Sequence, residues 1–242
     1  MQRTALVMGS TGAVGKQLLK EILKNNDYQK VISIGRRTVE IDKEIPQDRL
    51  VQKIVDYDDI EKSRQDLKNV DVVYCCLGTT NADAGSKERY RQIDQGYVLN
   101  TAKVIAEENK IEGSELAPVH FLYCSALGAN KNSFFFYPKT KGQTEEGLAN
   151  TGFERVSFVR PAFMEPVEPR NPSRFVERVA FSIYAPINNL LGLDGVIKVD
   201  MVAKAMRRAA LDSAYKPSTA SNITKSPIGT SVFGYNNSEL FQ

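Results

Sequence analysis

Short apolar runs of strand length alternate along this chain with segments that have the spacing of amphipathic helices, and this alternation constrains the fold more than any other feature. Helical spacing is clearest over residues 18–23 and 97–105, where apolar side chains recur on one face. Strands that are apolar throughout are typical of a parallel sheet covered by helices on both faces. The pattern therefore predicts a doubly wound α/β fold. The six predicted strands are Thr4 to Met8, Val31 to Ile34, Leu50 to Val55, Val70 to Leu77, Val119 to Cys124 and Arg155 to Val159.

The chain length of 242 residues favours a single domain over residues 1–242. The character of the sequence changes after Pro161, where prolines become frequent and two amphipathic segments follow, at 174–184 and 202–211. The tail from Ser213 to Gln242 is rich in Ser, Thr, Asn and Gly. We expect residues 162–242 to contribute a small substrate-side cap and a tail of loop, short strand or partly disordered chain.

Charge and residue counts argue against several classes of function. The 32 basic residues nearly balance the 29 acidic ones, so no global field favours nucleic acid or anionic lipid. No stretch approaches the roughly 18 consecutive apolar residues of a transmembrane helix, and the apolar run at 5–8 is too short for a secretory leader. Three cysteines and one histidine, His120 in an apolar strand, match neither a disulfide framework nor a metal site. We expect reduced thiols, no metal and a cytoplasmic protein.

A glycine-rich turn lies between the first predicted strand and the first helix. Residues 9–15 read GSTGAVG, with the spacing GxxGxxG. Small residues there let the backbone turn sharply and let phosphate groups reach the amides at the helix N-terminus. The turn predicts a dinucleotide site, although any strand-to-helix turn can hold glycine. The predicted cofactor contacts in this turn are Gly9, Ser10, Thr11, Gly12, Val14 and Gly15.

Two arginines follow the second predicted strand, in Gly35-Arg36-Arg37. A protein selective for NAD(H) places Asp or Glu near this point, where the carboxylate accepts hydrogen bonds from the ribose 2′-hydroxyl. Guanidinium groups instead suit a 2′-phosphate, which they hold with forked, charge-assisted hydrogen bonds. Arg36 and Arg37 therefore predict NADP(H) as the cofactor, with a solvated basic turn as the alternative.

Further cofactor contacts are predicted where the third, fourth and sixth strands end. A carboxylate after the third strand is placed to accept a hydrogen bond from the adenine amino group. Small residues after the fourth strand lie at the carboxyl edge of the sheet, where ligands bind in open α/β folds. The chain leaves the sixth strand beside the expected nicotinamide, and proline marks that exit. These contacts are Asp56, then Leu77, Gly78 and Thr79, then Arg160 and Pro161.

Ser125, Tyr137 and Lys141 form the candidate catalytic set. Ser125 ends the fifth strand, and Tyr137 and Lys141 are four residues apart, so they share one face of a helix. A phenol ordinarily has a pKa of about 10, and a neighbouring ammonium stabilises its phenolate. Tyr137 and Lys141 are also expected to contact the cofactor. The aromatic run at 134–136 either lines an apolar substrate pocket or packs into the core.

Taken together, these motifs resemble the short-chain dehydrogenase/reductase family in its extended or atypical branch. More narrowly, residues 19–23, 34–37, 75–80, 84–85, 94 and 97–99 are similar to the Tat-interacting oxidoreductases and their fungal mitochondrial relatives. The resemblance implies one NADP(H)-binding, Rossmann-like domain with no settled substrate, protein partners, and a peripheral place at the mitochondrial outer membrane. It carries over Gly9, Gly12, Gly15, Arg36, Arg37, Leu77 and Lys141 as cofactor contacts, and Ser125 and Tyr137 as the catalytic pair.

One residue departs from the family pattern. Many extended members carry Asn on the helix after the fourth strand as part of a proton relay, and this chain has Asp94. We therefore weigh two functions. The first is an NADP(H)-dependent oxidoreductase for a carbonyl or alcohol substrate, which the Ser-Tyr-Lys set favours. The second is an NADP(H)-sensing regulatory protein that acts through protein partners with little or no turnover, which Asp94 and the short cap favour.

Overall fold

The six predicted strands all form, and neighbouring strands among them pair in parallel. The computed structural model, which describes residues 3–165 and 196–241, orders them β3-β2-β1-β4-β5-β6. The order reverses between β1 and β4, as it does in doubly wound nucleotide-binding folds. The predicted Rossmann-like α/β fold is confirmed. The strands are β1 (Thr4–Met8), β2 (Lys30–Gly35), β3 (Leu50–Ile54), β4 (Val72–Cys75), β5 (Ala117–Cys124) and β6 (Phe153–Arg160).

Helices connect most of these strands. The segment between β4 and β5 contains a π-helical turn at Gln92–Gly96, which runs directly into a longer α-helix. Such turns are rare and occur frequently at functional sites. A 3₁₀-helical segment, Tyr57–Leu67, precedes β4. The α-helices up to β6 are α1 (Ala13–Lys24), α2 (Asn81–Ala84), α3 (Lys87–Arg91), α4 (Tyr97–Glu108) and α5 (Phe136–Ala149).

Apolar side chains cover both faces of the sheet. On one face, α1 and a later helix, α6 (Val199–Leu211), pack over a cluster that includes Val7 and Met206. On the other face, α4 and the 3₁₀-helical segment pack over a cluster that includes Leu6 and Phe121. Successive residues of a strand point to opposite faces, so Leu6 and Val7 belong to different clusters. Burial on both faces explains why the inner strands are largely apolar, whereas the edge strand β3, LVQKI, is only partly buried.

The residues after 196 join the central sheet. Strand β10 (Ser231–Asn236) pairs in parallel with β6, and β9 (Ile223–Lys225) pairs antiparallel with β10 at the sheet edge. Tyr235 of β10 is buried and stacks on Tyr215, with 5.1 Å between the ring centroids. A separate two-stranded pair consists of β7 (Met164–Glu165) and β8 (Ile197–Lys198).

The described part of residues 162–242 contains one of the two expected helices, and short strands in the tail. The helix expected at 202–211 is present as α6, and it packs against α1 on the face of the central sheet. The other amphipathic segment, 174–184, lies outside the described residues. The single-domain organisation with a substrate-side cap stays a prediction. Among the helices of residues 3–165 and 196–241, none is both long and apolar enough to cross a membrane.

Candidate functional site

The glycine turn between β1 and α1 has a backbone that side chains would block. Gly9 has a φ of +81°, and a Cβ atom built there would lie 2.6 Å from the carbonyl carbon of Cys76. A Cβ atom at Gly15 would lie 2.2 Å from the carbonyl oxygen of Gly9. Real Cβ atoms do not approach backbone so closely, so both positions require glycine. The turn is therefore tight, and it brings the start of α1 against the end of β1.

The N-terminus of α1 faces this turn without a cap. Gly12 is the N-cap residue, no side chain caps the helix, and its first turn contains no acidic residue. The Ser10 hydroxyl lies 2.6 Å from the Ser33 hydroxyl and anchors the turn to β2. Thr11 is exposed, and Val14 is buried beneath the turn. An uncapped helix N-terminus favours negative charge, so it suits a phosphate group.

Arg36 and Arg37 lie at the same edge of the sheet. Ile34 of β2 pairs in register with Met8 of β1, and the two arginines follow it. Both are exposed, and neither makes an ion pair or side-chain hydrogen bond with another residue of the described part. Asp56 is also exposed, and its carboxylate accepts a hydrogen bond from the Asp58 amide at 2.9 Å. The guanidinium groups are therefore available to a ligand, whereas Asp56 already caps the 3₁₀-helical segment.

Ser125 and Lys141 both lie near the carboxyl end of β5, since Lys141 contacts Tyr123 of that strand and Ser125 follows the strand directly. Ser125 directly follows β5, and its hydroxyl is buried without a hydrogen-bond partner in the described part of the chain. Tyr137 lies in the first turn of α5 and is 41% exposed, whereas Lys141, one turn later, is buried. Partial burial raises the pKa of Tyr137, the Lys141 ammonium acts to lower it, and Asp94 acts to raise it.

Asp94 holds Lys141 in place. The Asp94 Oδ1 and Lys141 Nζ atoms lie 2.7 Å apart, and both side chains are buried. Lys141 also donates a hydrogen bond to the Tyr123 hydroxyl at 3.0 Å. The other carboxylate oxygen of Asp94 accepts from the Thr79 amide at 2.7 Å, which ties the loop after β4 to this pair. Burial alone lowers the pKa of Lys141, but Tyr123, Asp94 and Tyr137 offset it and hold that pKa well above its ordinary value.

The remaining predicted contacts lie around this centre. Leu77 and Thr79 are half-buried in the loop after β4, and Gly78 is exposed between them. Pro161 is buried, and its carbonyl accepts from the Leu127 amide at 2.9 Å. Arg160 instead donates two hydrogen bonds to the Glu145 carboxylate of α5, at 2.9 and 2.8 Å. The structure thus pairs Arg160 with a neighbouring helix, and its contact with a cofactor stays a prediction.

Comparison with known proteins decides the family. A family model described as NAD(P)H-binding matches residues 9–180. The chain belongs to this NAD(P)H-binding family. Protein HTATIP2 of Rattus norvegicus is 31% identical over 204 residues, which cover 84% of this chain and 79% of that protein. The mitochondrial protein FMP52 of Debaryomyces hansenii is 37% identical over 161 residues, 65% of each chain. The resemblance to these two groups of proteins is confirmed.

Solved structures support the same fold. A short-chain type dehydrogenase/reductase from Mycobacterium ulcerans superposes with a TM-score of 0.62 at 16% identity, covering 100% of this chain and 91% of that one. At this identity the likeness concerns the fold alone. In open α/β sheets, ligands bind outside the carboxyl ends of the strands, and the glycine turn and the two arginines lie at that edge here. In residues 3–165 and 196–241, no group of three or more His, Cys, Asp or Glu side chains is placed to hold a metal.

Sequence reasoning missed Tyr90 and Tyr123, and it singled out Asp94 without predicting its ion pair. Tyr90 is fully buried, its hydroxyl has no partner in the described residues, and its ring lies 6.1 Å from that of Tyr137. Tyr123 of β5 accepts the hydrogen bond from Lys141, and Asp94 forms the ion pair. A signal for two of them was present, because Tyr90 and Asp94 are four residues apart, as Tyr137 and Lys141 are.

Proposed function

We propose that this protein is an NADP(H)-dependent oxidoreductase of the short-chain dehydrogenase/reductase type that acts on a carbonyl or alcohol substrate. The observation that carries the proposal is the hydroxyl of Ser125, which is buried without a partner in the described residues and directly follows β5, the strand whose Tyr123 contacts Lys141. A buried hydroxyl without a partner is costly unless a ligand completes its hydrogen bonding. Consumption of NADPH with a panel of aldehydes, ketones and quinones tests the proposal, and no turnover across the panel contradicts it.

The residues of the glycine turn fit the nucleotide. Because Gly9 and Gly15 have no Cβ atom, the glycine turn can pack closely against the backbone of Cys76 and the start of α1. The uncapped N-terminus of α1 suits the negative charge of the pyrophosphate. Arg36 and Arg37 would hold the 2′-phosphate, and Lys141 would hold the ribose near the nicotinamide. When bound, the nicotinamide supplies or accepts the hydride.

Each catalytic side chain then has one task. Ser125 donates a hydrogen bond to the substrate oxygen and fixes its position. Tyr137 passes a proton from its Oη atom to that oxygen as negative charge develops there, or removes it in the reverse direction. Lys141 lies one helical turn below Tyr137 and sets the electrostatic surroundings of the phenol. Tyr137 is 41% exposed, so its side chain is not enclosed by the described residues.

Arg36 and Arg37 predict a measurable preference between the two nicotinamide cofactors. Replacing each by alanine should reduce the preference for NADPH over NADH by ~1 to 3 kcal/mol, since each deletion removes charge-assisted hydrogen bonds to the 2′-phosphate. Fluorescence titration of both nucleotides against wild type and the Arg36→Ala and Arg37→Ala variants measures this difference.

A basic residue without a role in the site provides the matched control. Lys30 is exposed at the start of β2, at the opposite edge of the sheet. Lys30→Ala removes the same charge and should leave the NADPH preference unchanged. Equal binding of NADPH and NADH by the wild type would contradict the assignment of NADP(H).

An exposed aromatic pair favours a second candidate function, that of an NADP(H)-sensing protein that acts through a protein partner. Phe134 is 103% exposed and Phe135 is also exposed, in the loop directly before Tyr137, so neither packs into the core. Large exposed apolar side chains often mark protein contacts. If occupancy of the nucleotide site reshapes this loop, amide hydrogen exchange over residues 127–136 should change when NADPH is added. Identical exchange with and without NADPH would remove this candidate.

The relatives also bear on location. The FMP52 proteins carry the word mitochondrial in their names. We propose that the present protein is cytoplasmic and associates peripherally with the mitochondrial outer membrane, in line with the family resemblance.

A further inference from the structure

Two pairs of side chains face each other across the site, and each pair has the same spacing. Tyr90 and Asp94 lie four residues apart on α3 and the π-helical turn, and Tyr137 and Lys141 lie four residues apart on α5. The two phenol rings are 6.1 Å apart between centroids, and Asp94 and Lys141 form the buried ion pair at 2.7 Å. The segment before α4 thus supplies a tyrosine beside Tyr137 and a negative charge that pairs with the positive charge of Lys141.

The Asp94 carboxylate is fixed from several directions. Its side chain is 1% exposed, one oxygen contacts Lys141, and the other accepts the Thr79 amide at 2.7 Å. A Cβ atom at Gly78 would lie 3.2 Å from the carboxylate, so the loop after β4 closes over it. The carboxylate therefore has a single well-defined position between the expected cofactor loop and the lysine.

Both charges of the ion pair act on the pKa of Tyr137, in opposite directions. A lone ammonium beside a phenol stabilises its phenolate, and a carboxylate beside that ammonium offsets the effect. The tyrosine and cysteine side chains that face Tyr137 carry no charge in their ordinary forms at neutral pH. Two cations, Lys87 and Arg91, lie over the neighbouring Phe136 ring, at 5.7 and 5.4 Å from its centroid. The titratable groups that face Tyr137 are Tyr90 of α3, Asp94 of the π-helical turn, Tyr123 and Cys124 of β5, and Lys141 of α5.

We propose that Asp94 is a positioning residue that offsets the charge of Lys141, keeps Tyr137 protonated, and thereby makes the site a proton donor for carbonyl reduction rather than a base for alcohol oxidation. This inference rests on the proposed oxidoreductase function. In reduction the Tyr137 Oη proton moves to the carbonyl oxygen, and a bound nicotinamide would supply the hydride that the carbonyl carbon accepts. The phenolate left behind takes a proton from solvent. Asn at position 94 would keep the hydrogen bond from Thr79 but not the charge.

Titration of the free protein tests this without any need for turnover. The near-ultraviolet absorbance of tyrosinate is followed against pH, and the signal of the matching Tyr137→Phe variant is subtracted to isolate Tyr137. Asp94→Asn should lower the pKa of Tyr137 by about one unit or more, because the Lys141 charge is no longer offset. Glu88→Gln is the matched control, since Glu88 is an exposed acid on α3, and it should leave that pKa unchanged. The pH profile of alcohol oxidation should move to lower pH with Asp94→Asn.

A double variant keeps the test decisive if Asp94→Asn alone does not fold, because it leaves no uncompensated buried charge. In Asp94→Asn combined with Lys141→Met both charges are removed, so the pKa of Tyr137 should lie less than about one unit from the wild-type value. A Tyr137 pKa that is unchanged by Asp94→Asn overturns the inference, as does a value in the double variant well beyond that limit. Either result shows that Asp94 does not set the protonation of Tyr137. If turnover still requires Tyr137, the proposed oxidoreductase function is unaffected.

Discussion

Replacing Tyr137 with phenylalanine is expected to lower the turnover number for NADPH-dependent carbonyl reduction by about 10²- to 10⁴-fold, the usual contribution of a positioned proton donor. The substitution removes only the hydroxyl and keeps the ring, which packs against Tyr90. Lys141 keeps its contacts with Asp94 and the Tyr123 hydroxyl. We therefore expect the fold and the affinity for NADPH to change little. Steady-state kinetics with a reactive aldehyde, and fluorescence titration of NADPH, measure the two quantities separately.

Loss of a buried phenol hydroxyl elsewhere in the molecule provides the control for this variant. The Tyr235 hydroxyl of β10 donates to the Tyr215 carbonyl at 3.0 Å, and β6 separates β10 from β5 in the sheet. Tyr235→Phe should cost about 1 kcal/mol of unfolding free energy and leave the turnover number unchanged. Turnover by Tyr137→Phe at the wild-type level would show that the proton comes from another group, and it would overturn the assignment of Tyr137.

The parts of the fold that the sequence predicts correctly are those whose signal is local. Five of the six predicted strands are largely buried on both faces, so their residues read as apolar runs without reference to the rest of the chain, whereas the edge strand β3 is partly exposed. Strand β10 was missed because its sequence, SVFGYN, mixes polar and small residues with apolar ones. It forms a strand because β6 offers an edge in parallel register and Tyr235 finds a buried stacking partner in Tyr215. Neither condition can be read from residues 231–236 alone.

The candidate site divides in the same way. The glycine turn and the Tyr137-to-Lys141 spacing are local patterns, and Ser125 follows from the end of the fifth strand, which the sequence also predicts. The ion pair of Asp94 depends on how two helices pack, and the π-helical turn changes the direction in which Asp94 points relative to a regular helix. Arg160 shows the same limit, because its partner Glu145 lies on the helix packed beside it. Ion pairs between packed helices depend on the tertiary structure, so they cannot be predicted from the sequence alone.

Replacing Gly15 with alanine should destabilise the protein and weaken nucleotide binding, although alanine is the better helix former. On helix propensity alone the change would stabilise the protein by roughly 0.5 to 1 kcal/mol. Here the new Cβ atom would lie 2.2 Å from the oxygen and 2.8 Å from the carbonyl carbon of Gly9, and 3.0 Å from the Cα atom of Ser10. All three are backbone atoms, so no side chain can move aside. The first turn of α1 must shift away from the glycine turn, and we expect a loss of about 2 to 3 kcal/mol in unfolding free energy.

The same shift displaces the amides that would hold the pyrophosphate, so NADPH affinity should fall by more than about tenfold, or ~1.4 kcal/mol. Gly96→Ala is the matched control, because Gly96 is also helical and a Cβ atom there meets nothing closer than 4.0 Å. That variant should follow helix propensity and become more stable in urea unfolding, with NADPH affinity preserved. If Gly15→Ala instead behaves like Gly96→Ala in both measurements, the turn is looser than its geometry indicates. The assignment of residues 9–15 as the pyrophosphate site would then lose its basis, because only a turn this tight places the helix amides against a phosphate.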